Sequence, residues 1–287
     1  LNNFFFALAF IILPSICQAK VYFNDPDDKQ LNHAYAKLEK KDVEERNGGP
    51  ELYFILGVLY SNGNEKFDIE KDPERALELY HKAWDLKVWD AGSALAKAYY
   101  NGSGTNIDYQ KSKYYLEESA KKGFLMSQRL LGKACWGKKM HKLYDEDMGC
   151  ATEWLQKAAL QGDEEAAMNL SGIYKNGEGV LEDPEKSFFW IIQALESMYS
   201  SNKGVVFYFT AEYYEKGYGV AKNLVKAYTY YDLSGTAGSK GKSRVSKNMT
   251  DAEIREAIKQ SRAWQEEHNT FVPSYYGLQH QSDGSYR

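Results

Sequence analysis

Few residues in this chain could do chemistry, and their spacing argues against it. Five His occur, His33, His81, His141, His268 and His280. No two stand at metal-ligand spacing and no Cys joins them, so no metal site is expected. His81 follows Tyr80 and reads as a surface residue rather than a base. The string Gly235-Thr236-Ala237-Gly238-Ser239-Lys240-Gly241-Lys242-Ser243 is close to a phosphate-cradling loop. However, Thr236 stands where the first glycine belongs, and a helix rather than a strand precedes it. Ser119-Ala120-Lys121-Lys122 and Ser239-Lys240-Gly241-Lys242 match Ser-x-x-Lys, the nucleophile-and-base string of penicillin-binding serine sites, without its companion motifs. No catalytic residue and no cofactor are therefore expected.

The elements that carry these residues form a repeat. Leu56-Gly57-Val58-Leu59-Tyr60 recurs as Leu95-Ala96-Lys97-Ala98-Tyr99 and as Leu170-Ser171-Gly172-Ile173-Tyr174, with weaker copies at Leu131 to Cys135 and Thr210 to Tyr214. The intervals are 39, 36, 39 and 40 residues, and the second position is always small: Gly57, Ala96, Gly132, Ser171, Ala211. A second register follows in each unit, led by Ala76, Ser112, Ala151, Ser187 and Ala227. Large apolar or aromatic residues stand three and four positions later and Ala or Ser seven later, which marks one face of an α-helix. Asp72, Asp108, Asp147, Asp183 and Asn223 precede that register by four residues, as N-caps should. Gly63, Gly102, Gly177 and Gly217 are placed to end the first helix. Each unit reads as helix, glycine turn, helix. No unit can bury its apolar face alone, so five must stack into a solenoid.

The pattern Leu-small-x-x-Tyr-x-x-Gly-x-Gly-Val, then Asp, then Lys-small-x-x-Trp/Tyr resembles the Sel-1-like repeat, a relative of the tetratricopeptide repeat. The fourth unit fits best, with Leu170 to Tyr174, Gly177-Glu178-Gly179-Val180, Asp183, Lys186-Ser187 and Trp190. The third keeps Trp154 to Ala159 but lacks the central glycine motif, and the first has a longer loop from Asn64 to Lys71. The resemblance implies an all-α, right-handed αα-superhelix of about five helix-turn-helix repeats with helical caps. It implies a concave face that binds protein or peptide, and no particular reaction. Cysteine-rich relatives linked to β-lactam binding or hydrolysis keep an enzyme as the alternative of another class.

Within this frame Cys135 takes the tyrosine position of the third unit's first helix, and Cys150 stands one residue before Ala151 on its partner. A disulfide between them is expected to staple the repeat whose turn is least secure; two free thiols are the alternative. Aromatics in register (Tyr60, Tyr99, Trp154, Tyr174, Trp190, Tyr230) read as core. The surplus outside it (Tyr100, Tyr114, Trp136, Tyr213, Tyr218) is expected on the concave face as partner-binding residues. Lys240, Lys242, Arg244 and Lys247 read first as a solvated connector and second as a basic docking loop.

Residues 1–19 read as a secretory signal: an apolar run from Phe4 to Leu13, then Pro14, with small residues at Cys17 and Ala19, although Asn2 and Asn3 stand where basic residues usually do. Cleavage after Ala19 implies a periplasmic or secreted protein; a lipid anchor on Cys17 ranks second, because Ile16 is bulky. Residues 20–50 should hold an N-terminal capping helix, 51–238 the five repeats, and 239–287 the basic loop, a C-terminal capping helix begun by Thr250 and Glu253, and a polar tail. The net charge of −4 argues against nucleic acid, and no apolar run reaches the roughly 20 residues of a membrane-spanning helix. The expected function is an exported, non-enzymatic protein that holds another protein in its groove. An immunity protein against a phospholipase-type toxin, an envelope adaptor and a host-interaction factor all fit.

Overall fold

The computed structural model describes residues 21–25, 29–39, 48–197, 203–268 and 270. The expected signal segment, Cys17 within it and nearly all of the polar tail lie outside them. Among the described residues there are α-helices and two short 3-10 turns, with no β-strand beyond an isolated Asn64–Ile69 bridge. A short helix α1 (Lys29–Lys37) precedes five helical hairpins. They are α2 (Pro50–Asn62) with α3 (Pro73–Asp85), α4 (Ala91–Asn101) with α5 (Tyr109–Lys121), and α6 (Leu125–Cys135) with α7 (Met148–Leu160). Then come α8 (Glu164–Asn176) with α9 (Pro184–Glu196), and α10 (Lys203–Lys216) with α11 (Leu224–Leu233). Two helices close the array, α12 (Ser239–Ser246) and α13 (Asp251–Glu267). Each helix packs most heavily on its hairpin partner and next on the following repeat, the one-dimensional stacking of a solenoid.

The small residues at the two registers explain how the hairpins close. Gly57, Ala96, Gly132, Ser171 and Ala211 are all buried, as are Ala76, Ser112, Ala151, Ser187 and Ala227. A Cβ on Gly57 would lie 2.5 Å from the Tyr80 ring, so the helices could not approach as they do with any larger residue. Where serine replaces alanine, its hydroxyl serves the partner helix: Ser112 Oγ donates to the Ala96 carbonyl at 2.7 Å, and Ser187 Oγ to that of Ser171 at 2.8 Å.

The caps stand where the sequence puts them. Asp72, Asp108, Asp147, Asp183 and Asn223 each accept the N–H three residues on. Their own N–H groups donate to the carbonyls of Tyr60, Tyr99, Cys135, Tyr174 and Tyr214, so every turn is tied across its base by the same bond. In the regular turns the second glycine has a packing duty. A Cβ on Gly104 would sit 2.2 Å from the Pro73 carbonyl, and one on Gly219 would sit 1.9 Å from that of Pro184. The turn of one repeat therefore rests directly on the start of the preceding repeat's second helix.

The third repeat has no such glycine and closes differently. Its helix α6 ends at Trp136, and Gly137 takes the left-handed conformation, φ 69°, one residue on. A disulfide joins Cys135 to Cys150, whose Cα atoms lie 5.8 Å apart. The C-terminal end differs from the sequence expectation. The stretch read as a mobile basic connector is helical from Ser239 to Ser246, because Gly241 lets the helix press on the Tyr231 ring and Val245 is buried. The N-terminal side also holds more than a cap. An extended stretch, Tyr22 to Asp25, lies across the starts of later repeats. The N–H groups of Tyr22 and Phe23 donate to the Asp90 carboxylate, Asn24 Oδ1 accepts from Leu125 N, and Asn24 Nδ2 donates to Gln161.

Candidate functional site

The first helices of the repeats present one face of the solenoid, and two adjoining clefts open on it. The upper cleft, about 380 Å³, lies between α1, α2, α3 and α4, with Leu31, Phe54, Leu77, Tyr80, Ala94 and Met126 in its walls. The lower cleft, about 430 Å³, lies between α4 and α6. Lys97, Asn101 and Met126 belong to both, so the two form one continuous groove.

The groove's electrostatics come from α6 and the start of α8. Arg129 Nη1 lies 3.0 Å from Asp163, whose side chain is wholly buried, and 3.2 Å from Glu165; Lys133 also pairs with Glu165. Burial pushes the Asp163 carboxyl up against the pull of Arg129, which lowers it. Burial also raises Glu165, but the hydrogen bond from Lys133 and the charge of Arg129 outweigh it and leave that carboxyl below its ordinary value.

The five surplus aromatics do not share this face. Tyr100 lines the lower cleft and packs on Tyr109 at 5.5 Å. Trp136 is half-buried and donates from Nε1 to Glu178. Tyr218 is half-buried; its hydroxyl donates toward the Lys175 carbonyl and the Glu182 carboxylate, beside which its pKa is pushed up to about 12, burial contributing most. Tyr114 is 55% exposed but stands on α5, a second helix, against Trp84 and Tyr115. Tyr213 is a correction. It is 3% exposed, and its hydroxyl meets Ser171 Oγ at 2.8 Å and Ser187 Oγ at 2.5 Å in the core. The signal for this was present in the repeat: the residue before each register tyrosine is Leu59, Ala98, Ala134 or Ile173, and all of those are buried.

The basic cluster divides in the same way. Lys240 and Lys247 are exposed. Lys242 is another correction: it is buried, with Nζ 2.6 Å from Asp232 Oδ1, while Asp232 Oδ2 accepts from Ser261. Arg244 forks onto Glu215 and reaches the Tyr231 hydroxyl. Both hold α12 to the array; Lys242 does so buried, whereas the Arg244 side chain stays 53% exposed.

His81 is not a surface residue. It is half-buried between the Tyr99 hydroxyl, 2.9 Å from Nε2, and the Tyr115 hydroxyl, 3.4 Å from Nδ1, and burial lowers its pKa. Ser119 of the first Ser-x-x-Lys string is wholly buried and donates to the Trp89 carbonyl. Gly238 and Gly241 of the phosphate-loop-like string pack against Tyr231. Among the described residues no group of three or more His, Cys, Asp or Glu side chains is placed to hold a metal ion, and no helix is long and apolar enough to cross a membrane.

Stacked αα-hairpins with one groove along the first helices define an α-solenoid of tetratricopeptide-like type. The Sel1 repeat profile matches residues 50–87, 91–124, 127–163, 164–197 and 208–239, and the chain belongs to that family. The fold is similar to a Sel1 repeat protein from Oxalobacter formigenes, at 20% identity and TM-score 0.61, over 82% of this chain and 98% of that one. It is also similar to a protective antigen of uropathogenic Escherichia coli displaying the same repeat fold, at 24% identity and TM-score 0.59. That match takes in 83% of this chain and 52% of the E. coli protein, so this chain spans about half of its length. No curated protein sequence matches the chain.

Proposed function

We propose that this protein binds a segment of another protein in the groove of its first helices and performs no catalysis. The observation that carries the reading is the continuity of the two clefts through Lys97, Asn101 and Met126. A groove running over three repeats suits an extended or helical peptide better than a compact small molecule. Buried hydroxyls committed to backbone carbonyls, such as Ser119, favour scaffolding over nucleophilic chemistry.

The finer reading is an exported protein of the cell envelope that caps a delivered toxin, with an envelope adaptor or a host-interaction factor as the other role. The expectation of a signal at residues 1–19 and the Cys135–Cys150 bridge support export, since such bridges persist in oxidising compartments. The test is affinity purification of the full chain from its native cells, beside an Ala94→Arg variant that fills the upper cleft. One stoichiometric partner that disappears with Ala94→Arg supports capping in the groove. Several envelope partners lost together point to the adaptor. A partner set indifferent to Ala94→Arg overturns the groove as the binding face.

A further inference from the structure

The groove face changes character at the last repeat. Ala94 and Leu130, each one position before the leading register residue of its repeat, line the two clefts, and Met126 lines both. On α10 the same two repeat positions hold Phe209 and Val205, so both side chains belong to that face. They are large, apolar and open to solvent, 37% and 40% exposed. In the first repeat the position of Phe209 holds Ile55, which is 4% exposed. Ile55 belongs to the core cluster that the chain's own N-terminal helix α1 joins through Leu31. A flanking segment of the chain thus finishes the apolar cluster at the first repeat, and among the described residues none does so at Val205 and Phe209.

The C-terminal flank starts beside them. Helix α13 ends against the first half of α10: Trp264 packs edge-on against Phe207 at 4.9 Å, and His268 stacks on Trp264 at 4.0 Å. Phe207 stands midway between Val205 and Phe209, so the chain leaves α13 within roughly 15 Å of both. Residues 271–287 follow, with an extended reach of roughly 55 Å. Their apolar side chains come early, at Phe271, Val272, Tyr275, Tyr276 and Leu278, and their Asp283 and Arg287 come late. The other end of the molecule already uses such a device. The extended segment from Tyr22 to Asn24 crosses the starts of α4 and α6 and lays the Phe23 ring on Phe54. We infer that the tail segment from Phe271 to Leu278 folds back round the start of α10 and covers Val205 and Phe209. The groove face is then open to a partner over the first three repeats and closed by the chain itself at the fifth. This goes beyond the groove reading and stands apart from it.

A photo-crosslinker tests the placement. Tyr275 is replaced by benzoylphenylalanine in the full-length oxidised protein, and isotopically light and heavy chains are mixed before irradiation. The crosslinker should join the tryptic peptide of residues 204–216 within one chain. Val205→Glu/Phe209→Glu changes two exposed positions and should keep the wild-type circular dichroism. It should lower the yield of that crosslink at least about fivefold, because the charges would have to be buried under the tail. Leu181→Glu, at an exposed apolar side chain in the fourth turn, should leave the yield unchanged. Crosslinks joining light to heavy chains would assign the patch to a second copy and overturn the inference. Crosslinks confined to other peptides, no crosslink at all, or a yield indifferent to the double variant would overturn it as well. None of these outcomes touches the two clefts, so the groove reading stands or falls on its own test.

Discussion

Phe23 and Asp90 lie 67 positions apart in sequence, yet the Phe23 N–H donates to Asp90 Oδ1 at 2.8 Å. Tyr22 N–H reaches the same carboxylate, Phe23 stacks on Phe54, and Asn24 continues to the start of α6. The chain thus lays the segment from Tyr22 to Asn24 across the junctions of three repeats. Burial pushes the Asp90 carboxyl up, and the donated N–H groups pull it back down. Asp90→Ala should release this segment. Amide exchange at residues 22–24 should rise to the rate of an open segment, and unfolding free energy should fall by about 1–3 kcal/mol. Unchanged protection would show that the segment is held by its other contacts, the Phe23 ring and the Asn24 side chain.

The staple in the third repeat gives a second expectation. The bridge spans 15 residues, and closing a loop of that size stabilises by about 3 kcal/mol in the chain-entropy treatment. Cys135→Ser/Cys150→Ser should therefore lower the urea midpoint clearly, and reductant should do the same to wild type and nothing to the variant. Because the stapled turn walls the lower cleft, the variant should also lose affinity for any groove ligand beyond its loss of stability.

Lys242 and Lys240 stand two residues apart and should behave oppositely. Lys242→Met strips the partner from Asp232, a carboxylate that is 5% exposed, and should cost about 3 kcal/mol in chemical denaturation. Lys240→Ala touches an exposed side chain and should stay within about 0.5 kcal/mol of wild type. Equal effects would contradict the placement of Lys242.

Acid should weaken the C-terminal closure. The Arg244 hydrogen bond holds the Glu215 carboxyl below its ordinary value. A depressed folded pKa means the stabilisation is present above the unfolded value, near 4.5, and disappears as the pH falls through the folded one. The Arg244 side chain is 53% exposed, so solvent screens the pair and the gain at neutral pH is about 1 kcal/mol at most. Melting curves between pH 7 and pH 3 should show a shallower acid limb for Glu215→Gln than for wild type; parallel limbs would reject the pair's contribution.

The sequence by itself determined the repeat. The alternation of small and large residues, the Asp and Asn caps and the glycine turns are short-range signals, each acting within one or two helical turns. A helix of period 3.6 prints its buried face directly into residue spacing. That is why the hairpins, their caps and the pairing of Cys135 with Cys150 could be read before any coordinates. Tyr213 was legible too, had the column before the register tyrosine been compared across repeats. The tertiary structure alone decided the rest. Nothing periodic announces that Asp90 receives the backbone of Tyr22 and Phe23, or that Lys242 turns inward to Asp232. These are single polar groups satisfied by partners on other elements, as burial requires of them. The groove belongs with them: its walls come from α1, α2, α3, α4, α6, the third turn and the start of α8, and only the way repeats stack brings those residues together.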